Sequence, residues 1–203
     1  MHPRLQEITT YLDAQRASVL AAAGMVPIEQ WGDRPVRGAW TVAQVLEHLR
    51  LSEAGVVRLA FKLGKPARAA GARAETSTAS MLGSLDHLFG GHGIMDRSLR
   101  REAPEQVCPG DTVDAHSVVG GLTRTRDDLY AAVALVDGLA LEDLRWTHAI
   151  LGELNLYQWI LFLGQHEARH AMQVAEIGRA LATREAAESA REPAATGAAI
   201  ARA

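Results

Sequence analysis

The sequence predicts an all-α protein, a four-helix bundle with a long connection between its second and third helices. Apolar residues recur every three or four positions in four stretches of the 203-residue chain, and this spacing is typical of one face of a helix. Two of the stretches begin with complete helix-capping sequences. No useful length of the sequence alternates as a strand does, and we find no internal repeat. The length suits one domain with its own core, which we place at residues 1–181.

A turn-rich connector at residues 31–39 separates the first two predicted helices. The first covers residues 5–23 and ends at Gly24 and Pro27, two residues that stop helices. The second opens at Thr41, which can form a capping box with Gln44. The apolar stripe of the first helix comprises Leu5, Ile8, Leu12, Gln15 and Val19, and the buried face of the second comprises Val42, Val45, Leu49, Val56 and Leu59.

The long connection covers residues 64–110. Its first part, residues 65–80, is small and polar, which predicts a loop or a flexible segment; residues 81–89 could form a short helix. A glycine-rich stretch and a proline-punctuated passage follow. Long connections of this kind are often functional lids or crossovers.

The third predicted helix covers residues 113–136, and residues 139–153 lead from it into the last helix. Gly120 and Gly121 lie inside the third helix, where each costs ~1 kcal/mol against alanine. They are tolerable where another helix approaches closely. The last helix opens with the cap Asn155 and its partner Gln158. Beyond residue 181 the alanine-rich tail could extend this helix briefly, and we expect disorder after Pro193.

The composition bears on partners and compartment. The formal net charge of −3 is no reason to expect nucleic acid, since proteins that bind it normally carry a basic excess. A single cysteine, Cys108, precludes an intramolecular disulfide and favours a reducing compartment. The amino terminus does not resemble a signal peptide, and no apolar run has transmembrane length. We therefore expect a cytoplasmic protein with a small-molecule substrate and neither a nucleic-acid nor a membrane partner.

Three histidines are candidate metal ligands. His166 and His170 lie one turn apart on the apolar stripe of the last helix, with roughly 6 Å between their Cβ atoms. His48 lies beside the buried face of the second helix, and facing helices of a bundle often combine to build metal sites. A site of three histidines with its remaining positions open is typical of catalysis. The alternative for His48 is a histidine at the edge of the core, hydrogen-bonded to a neighbour.

The spacing from His166 to His170 also matches H-E-x-x-H, the pattern of zinc peptidases. In that pattern Glu167 would activate water; the alternative is a carboxylate that faces solvent or supports a ligand. The extended pattern requires glycine and histidine where this chain has Gln173 and Glu176. Other glutamates that could complete a zinc site lie in the tail, namely Glu185, Glu188 and Glu192. These departures favour a site other than that of a peptidase.

Three passages, WTVAQVLEHL (40–49), REAPEQVCPG (101–110) and HAILGELNLYQWILFLGQHEARHAMQVAEI (148–177), resemble the DinB/YfiT-like family of metalloenzymes. The resemblance runs from the first helix to about residue 181, without a counterpart for residues 65–93 or the tail. It implies a four-helix bundle that binds metal through His48, His166 and His170. It further implies either a metal-dependent hydrolase or a thiol transferase or isomerase that uses bacillithiol, mycothiol or glutathione. It implies no DNA-binding residues.

The resulting hypothesis is an enzyme with one divalent ion, Zn, Ni or Fe, which activates a water or a low-molecular-weight thiol for attack on a small electrophile. The alternative is a non-catalytic metal-binding or ligand-sensing bundle, and a homodimer is compatible with either.

The remaining candidate residues have simpler interpretations. We expect His87, His92 and His148 to be loop or surface histidines, Cys108 to be inert packing, and Arg97, Arg100 and Arg101 to be a solvated run that could grip a substrate carboxylate.

Overall fold

The computed structural model describes residues 1–89 and 102–190. Within them, four long helices form the predicted bundle: α1 (Pro3–Gly24), α2 (Val42–Ala69), α3 (Ala115–Val136) and α4 (Leu156–Ser189). Helix α1 packs mainly on α4 and α2 mainly on α3, and α2 also contacts α4. Short helical turns lie at Ile28–Gln30, Leu82–Leu85, Asp86–Phe89, Glu105–Val107 and Leu141–Asp143.

Both predicted capping boxes are present. Thr41 exchanges hydrogen bonds with Gln44 at the start of α2, and Asn155 does the same with Gln158 at the start of α4. These caps satisfy backbone N–H groups that would otherwise have no partner. They therefore place the beginning of the two helices that carry the candidate ligands. None of the helices in the described ranges combines the length and apolar character needed to cross a bilayer.

A small antiparallel hairpin precedes α4, formed by β1 (Arg145–His148) and β2 (Gly152–Asn155). His148 pairs with Gly152, whose positive φ of 77° closes the three-residue loop. The sequence predicts only a connector here, and the hairpin within it was not predicted. Strands of four residues, with most side chains of β1 exposed, do not bury one face and so leave no alternating pattern in the sequence.

Helix α2 continues to Ala69, past the predicted loss of helical structure at Gly64. Pro66 lies in its last turn, where it cannot donate a backbone hydrogen bond. Contacts with α3 hold this turn: Gly64 faces Val136, and Arg68 donates to the backbone oxygens of Leu135 and Asp137 at 2.6 and 2.7 Å. The rest of residues 65–80 forms the predicted loop, and the short helix predicted at residues 81–89 is present.

The core is divided into two apolar clusters along the bundle axis. One contains Leu12, Val57, Leu129 and Ile160; the other contains Val19, Leu46, Leu122 and Val174. Between them, each long helix contributes one buried charged residue to what we call the ion-pair layer: Arg16, Glu53, Arg126 and Glu167. The predicted stripe of α1 was wrong at one position, because Arg16 is buried while Gln15 is half-buried.

Helix α4 extends beyond its packed part. Leu181 is buried, whereas residues 182–190 are exposed along the whole segment. The predicted brief extension of the helix is thus present, up to Ser189. The prediction of disorder after Pro193 concerns residues outside the described ranges.

Candidate metal centre

The structure brings together the three histidines that the sequence singles out, and we call His48, His166 and His170 the histidine cluster. His48 comes from the second turn of α2, and the other two come from successive turns in the middle of α4. His48 and His170 are 4% and 6% exposed, and His166 is less completely enclosed. Each residue offers one ring nitrogen, and the three nitrogens lie within 4.8 Å of one another.

The two separations that involve His166 suit a single ion. Nε2 of His166 lies 3.1 Å from Nε2 of His48 and 3.0 Å from Nε2 of His170. Two nitrogens that each lie ~2.0–2.1 Å from a zinc ion are about 3.3 Å apart at the tetrahedral angle and about 2.9 Å apart at a right angle. The observed values fall between these limits, so the cluster could hold a metal ion.

Two of the three histidines are oriented by hydrogen bonds at Nδ1, the ring nitrogen that does not face the cluster. Nδ1 of His48 donates to the backbone oxygen of Val107 at 2.7 Å, and Nδ1 of His170 donates to Oε1 of Gln173, also at 2.7 Å. A neutral ring that donates through Nδ1 has a lone pair on Nε2. Metal-binding histidines are commonly held in this way. Nδ1 of His166 is buried and has no hydrogen-bond partner among the described residues.

Protons alone do not satisfy this arrangement. His48 and His170 both direct an Nε2 lone pair toward His166, whose single Nε2 could donate a proton to only one of them. The lone pair of the other ring would then face Nε2 of His166 at about 3 Å with no proton between the two nitrogens. A metal ion accepts a lone pair from all three rings, so the donor set fits a divalent ion.

The protonation state also suits a metal. Burial lowers the pKa of His48, against the opposing effect of its hydrogen bond to Val107. Burial lowers the pKa of His166 well below its ordinary value, and His170 and His48 add to the effect. Neutral imidazole is the form that binds metal, and these two rings are therefore ready to do so at neutral pH.

Aromatic rings surround the cluster. Trp40 lies 4.9 Å from His48 between ring centroids, and Phe162 stacks on His166 at 5.1 Å with an interplanar angle of 18°. His148 packs in turn against Phe162 and Trp159, at 4.8 and 4.9 Å. These rings place apolar surface against His48 and His166.

His148 was predicted to be a loop or surface histidine, but it lies in β1 and is half-buried. Its Nδ1 accepts hydrogen bonds from the backbone N–H groups of Ile150 and Leu151, at 3.1 and 3.2 Å. Burial lowers its pKa. One feature of the sequence could have indicated that His148 is packed. It lies seven residues before the cap Asn155, in a passage that resembles the family.

Glu167 is 3% exposed and belongs to the ion-pair layer. Its Oε1 accepts hydrogen bonds from Arg16 and Arg126, whereas Oε2 is buried and has no partner among the described residues. Burial raises its pKa, and the two arginines act in the opposite direction. The general-base role that the H-E-x-x-H pattern suggests for Glu167 stays a prediction.

The remaining candidates lie apart from the cluster or outside the described residues. His87 is exposed, as predicted. Cys108 is exposed as well, so the prediction that it serves as packing was wrong. It follows the short helical turn Glu105–Val107, and the backbone oxygen of Val107 accepts the hydrogen bond from His48. The predictions for His92, Arg97, Arg100, Arg101 and Glu192 fall on residues that the structure does not describe.

Comparison with known proteins supports the family that the sequence resembles. The model of the DinB superfamily matches residues 11–174. The chain belongs to the DinB superfamily. The match includes all three histidines of the cluster and the ion-pair layer. This DinB-superfamily chain is also similar to the uncharacterized protein YuaE of Bacillus subtilis (strain 168), with 26% identity over 152 residues. The aligned region covers 73% of this chain and 83% of YuaE. No solved structure matches the chain.

Proposed function

We propose that this DinB-superfamily protein is an enzyme that binds one divalent metal ion through His48, His166 and His170. The observation that carries the proposal is the convergence of three ring nitrogens, two of them on rings that Val107 and Gln173 orient. When bound, a divalent ion supplies Lewis-acid activation of a water or a thiol near neutral pH. A thiol transferase or hydrolase acting on a small electrophile in the cytoplasm is the finer part of the proposal.

The protein's own residues would prepare this chemistry. Val107 and Gln173 keep the Nε2 lone pairs of His48 and His170 directed at one point. Phe162 and Trp40 cover ring faces of the cluster and leave fewer directions from which a small substrate can approach. Three protein ligands leave positions open for a nucleophile, as in catalytic rather than structural sites.

The decisive experiment compares the wild type with His48→Ala and with His87→Ala, which changes an exposed histidine outside the cluster. Elemental analysis and titration with Zn²⁺, Ni²⁺ and Fe²⁺ measure occupancy and affinity. We expect one metal per chain in the wild type and in His87→Ala, and an affinity at least about 100-fold lower in His48→Ala, since one of three ligands is lost. Full occupancy and unchanged affinity in His48→Ala would contradict the three-histidine site.

The enzymatic part needs a second measurement. The metal-loaded wild type is mixed with electrophiles and with bacillithiol, mycothiol, glutathione or no thiol, and His48→Ala serves as the inactive control. Electron–nuclear spectroscopy of the Co²⁺ form in isotopically labelled water then counts exchangeable solvent ligands. A coordination shell closed by protein ligands would refute the enzyme and favour a non-catalytic metal-binding bundle.

A further inference from the structure

The ion-pair layer lies directly next to the histidine cluster along both helices that carry it. Glu167 follows His166 in α4, and Glu53 lies five residues after His48 in α2, which is about 7.5 Å along the helix axis. Both carboxylates are almost fully enclosed, at 3% and 1% exposed. Each helix that supplies metal ligands therefore also supplies one carboxylate to the layer.

Arg16 of α1 contacts all three other long helices. Its Nε and Nη2 donate to Oε1 of Glu167 at 2.8 and 2.6 Å, and Nη2 also donates to Oε2 of Glu53 at 2.9 Å. Its Nη1 donates to the backbone oxygen of Leu122 in α3 at 3.2 Å. The guanidinium thus ties α2 and α4 together from the side of α1.

Arg126 of α3 does the same from the opposite side. Its Nε donates to Oε1 of Glu53 at 2.6 Å, and its Nη2 donates to Oε1 of Glu167 at 2.9 Å. Its Nη1 reaches Asp13 in α1 at 3.1 Å. The two carboxylates of the layer are therefore bridged twice, by two planar forks whose geometry is rigid.

The ion-pair layer connects the two helix pairs that carry the metal ligands. Because α1 packs mainly on α4 and α2 mainly on α3, His48 belongs to one helix pair, and His166 and His170 belong to the other. Two positive and two negative charges balance within the layer. A balanced buried ion network contributes little more stability than apolar residues would, so stability alone does not account for four charges in the core.

We propose that Arg16 and Arg126 are positioning residues of the metal site: by bridging Glu53 to Glu167 they set the separation of α2 and α4, and so shape the histidine cluster before a metal ion arrives. This inference rests on the proposed metal-binding function. Metal sites require their ligands to be held within about 0.5 Å of the productive geometry, and the layer supplies that constraint across the two helix pairs.

Two variants loosen the link while keeping the charges balanced or unchanged. Glu53→Met/Arg126→Leu removes one charge of each sign and leaves the Arg16–Glu167 pair intact. Arg16→Lys keeps the positive charge but replaces the fork by one ammonium, which cannot reproduce its four hydrogen bonds. The matched control is Arg4→Met/Glu75→Gln, which breaks another buried Arg–Glu pair twelve residues, or about 18 Å along α1, from Arg16.

Crystal structures of the metal-free proteins and Co²⁺ titrations followed by visible absorption measure the effect. We expect both layer variants to stay folded by circular dichroism, to move Nε2 of His48 from Nε2 of His166 by more than about 0.5 Å, and to bind Co²⁺ about 10- to 100-fold more weakly with altered absorption bands. The control should keep wild-type separation, affinity and bands. If the double variant does not fold, Arg16→Lys decides.

The outcomes separate this inference from the function on which it rests. A folded layer variant with an unchanged cluster and Co²⁺ affinity within twofold of the wild type overturns the positioning role and leaves metal binding intact. A wild type that binds no metal refutes the proposed function and with it a role in metal binding; a displaced cluster in the layer variants would then show only that the layer shapes the three histidines.

Discussion

Gln173 accepts a hydrogen bond from Nδ1 of His170 at 2.7 Å, from a position three residues further along α4. The extended peptidase pattern has glycine at this place. Here the side-chain amide instead determines which nitrogen of His170 carries the proton and which is free to bind a metal. The residue that departs from the peptidase pattern thus serves the histidine cluster.

The first prediction concerns this contact. Gln173→Leu keeps a similar volume but removes the acceptor, so His170 loses its orientation, and we expect the affinity for Zn²⁺ to fall about 10- to 100-fold. Gln173→Glu retains an acceptor and should stay much closer to the wild type. Calorimetric titration measures both, with Gln15→Leu, at a half-buried position of α1, as the control. A Gln173→Leu affinity within twofold of the wild type would argue against this role.

Metal binding should stabilise the fold by mass action. Zn²⁺ at about 100 times its dissociation constant contributes about 2.7 kcal/mol to the free energy of unfolding. For a chain of this size that raises Tm by roughly 5–11 °C. Differential scanning calorimetry with increasing Zn²⁺ tests this expectation. His48→Ala should show almost no increase at the same concentrations, and an equal increase in both proteins would place the metal elsewhere.

Gly164 marks a close approach of α1 to α4. A Cβ atom at this position would lie 2.6 and 2.8 Å from two ring carbons of Tyr11 and 3.3 Å from a methyl carbon of Leu12. We expect Gly164→Ala to lower the free energy of unfolding by about 1–3 kcal/mol because the helices must move apart. Gly120→Ala, where only the end of Arg124 is near, should instead stabilise α3 by up to about 1 kcal/mol. Urea denaturation compares the two, and equal effects would contradict the close approach.

The buried contacts of Glu75 predict an acid-sensitive part of the stability. Burial alone would raise its pKa, but the hydrogen bonds from Ser77 and Tyr157 and the charge of Arg4 outweigh it, so the pKa is lowered. The ionised carboxylate therefore contributes stability that is fully present above its ordinary pKa of about 4.3. That contribution is lost as the pH falls through the lowered native value.

Glu75→Gln tests this expectation. The variant should lose about 1–3 kcal/mol of unfolding free energy at pH 7, and its stability should change less steeply than that of the wild type below about pH 5. Urea denaturation at several pH values provides the comparison. Glu29→Gln, at an exposed position, should follow the wild type. A Glu75→Gln curve parallel to that of the wild type throughout the acid range would refute the assignment.

Local sequence was sufficient to predict helix starts and helix faces, because residues close in the sequence determine both. The capping residues Thr41 and Asn155 marked the starts of α2 and α4 to within one residue, because a cap is a contact between residues three apart. Helical periodicity likewise placed His166 and His170 on one face. It could not extend α2 through Pro66, because the hydrogen bonds from Arg68 that help to hold that turn go to Leu135 and Asp137, which are distant in the sequence.

The sequence by itself determined the four-helix architecture and singled out the three histidines as candidate metal ligands. Both follow from periods of three and four residues and from the resemblance to the family. Only the tertiary structure revealed the ion-pair layer, the bond from His48 to Val107 and the packing of His148. The partners in these contacts include Arg16 and Glu167, 151 positions apart, and His48 and Val107, 59 positions apart. No local period encodes such pairs, because they form when separate helices and loops pack together.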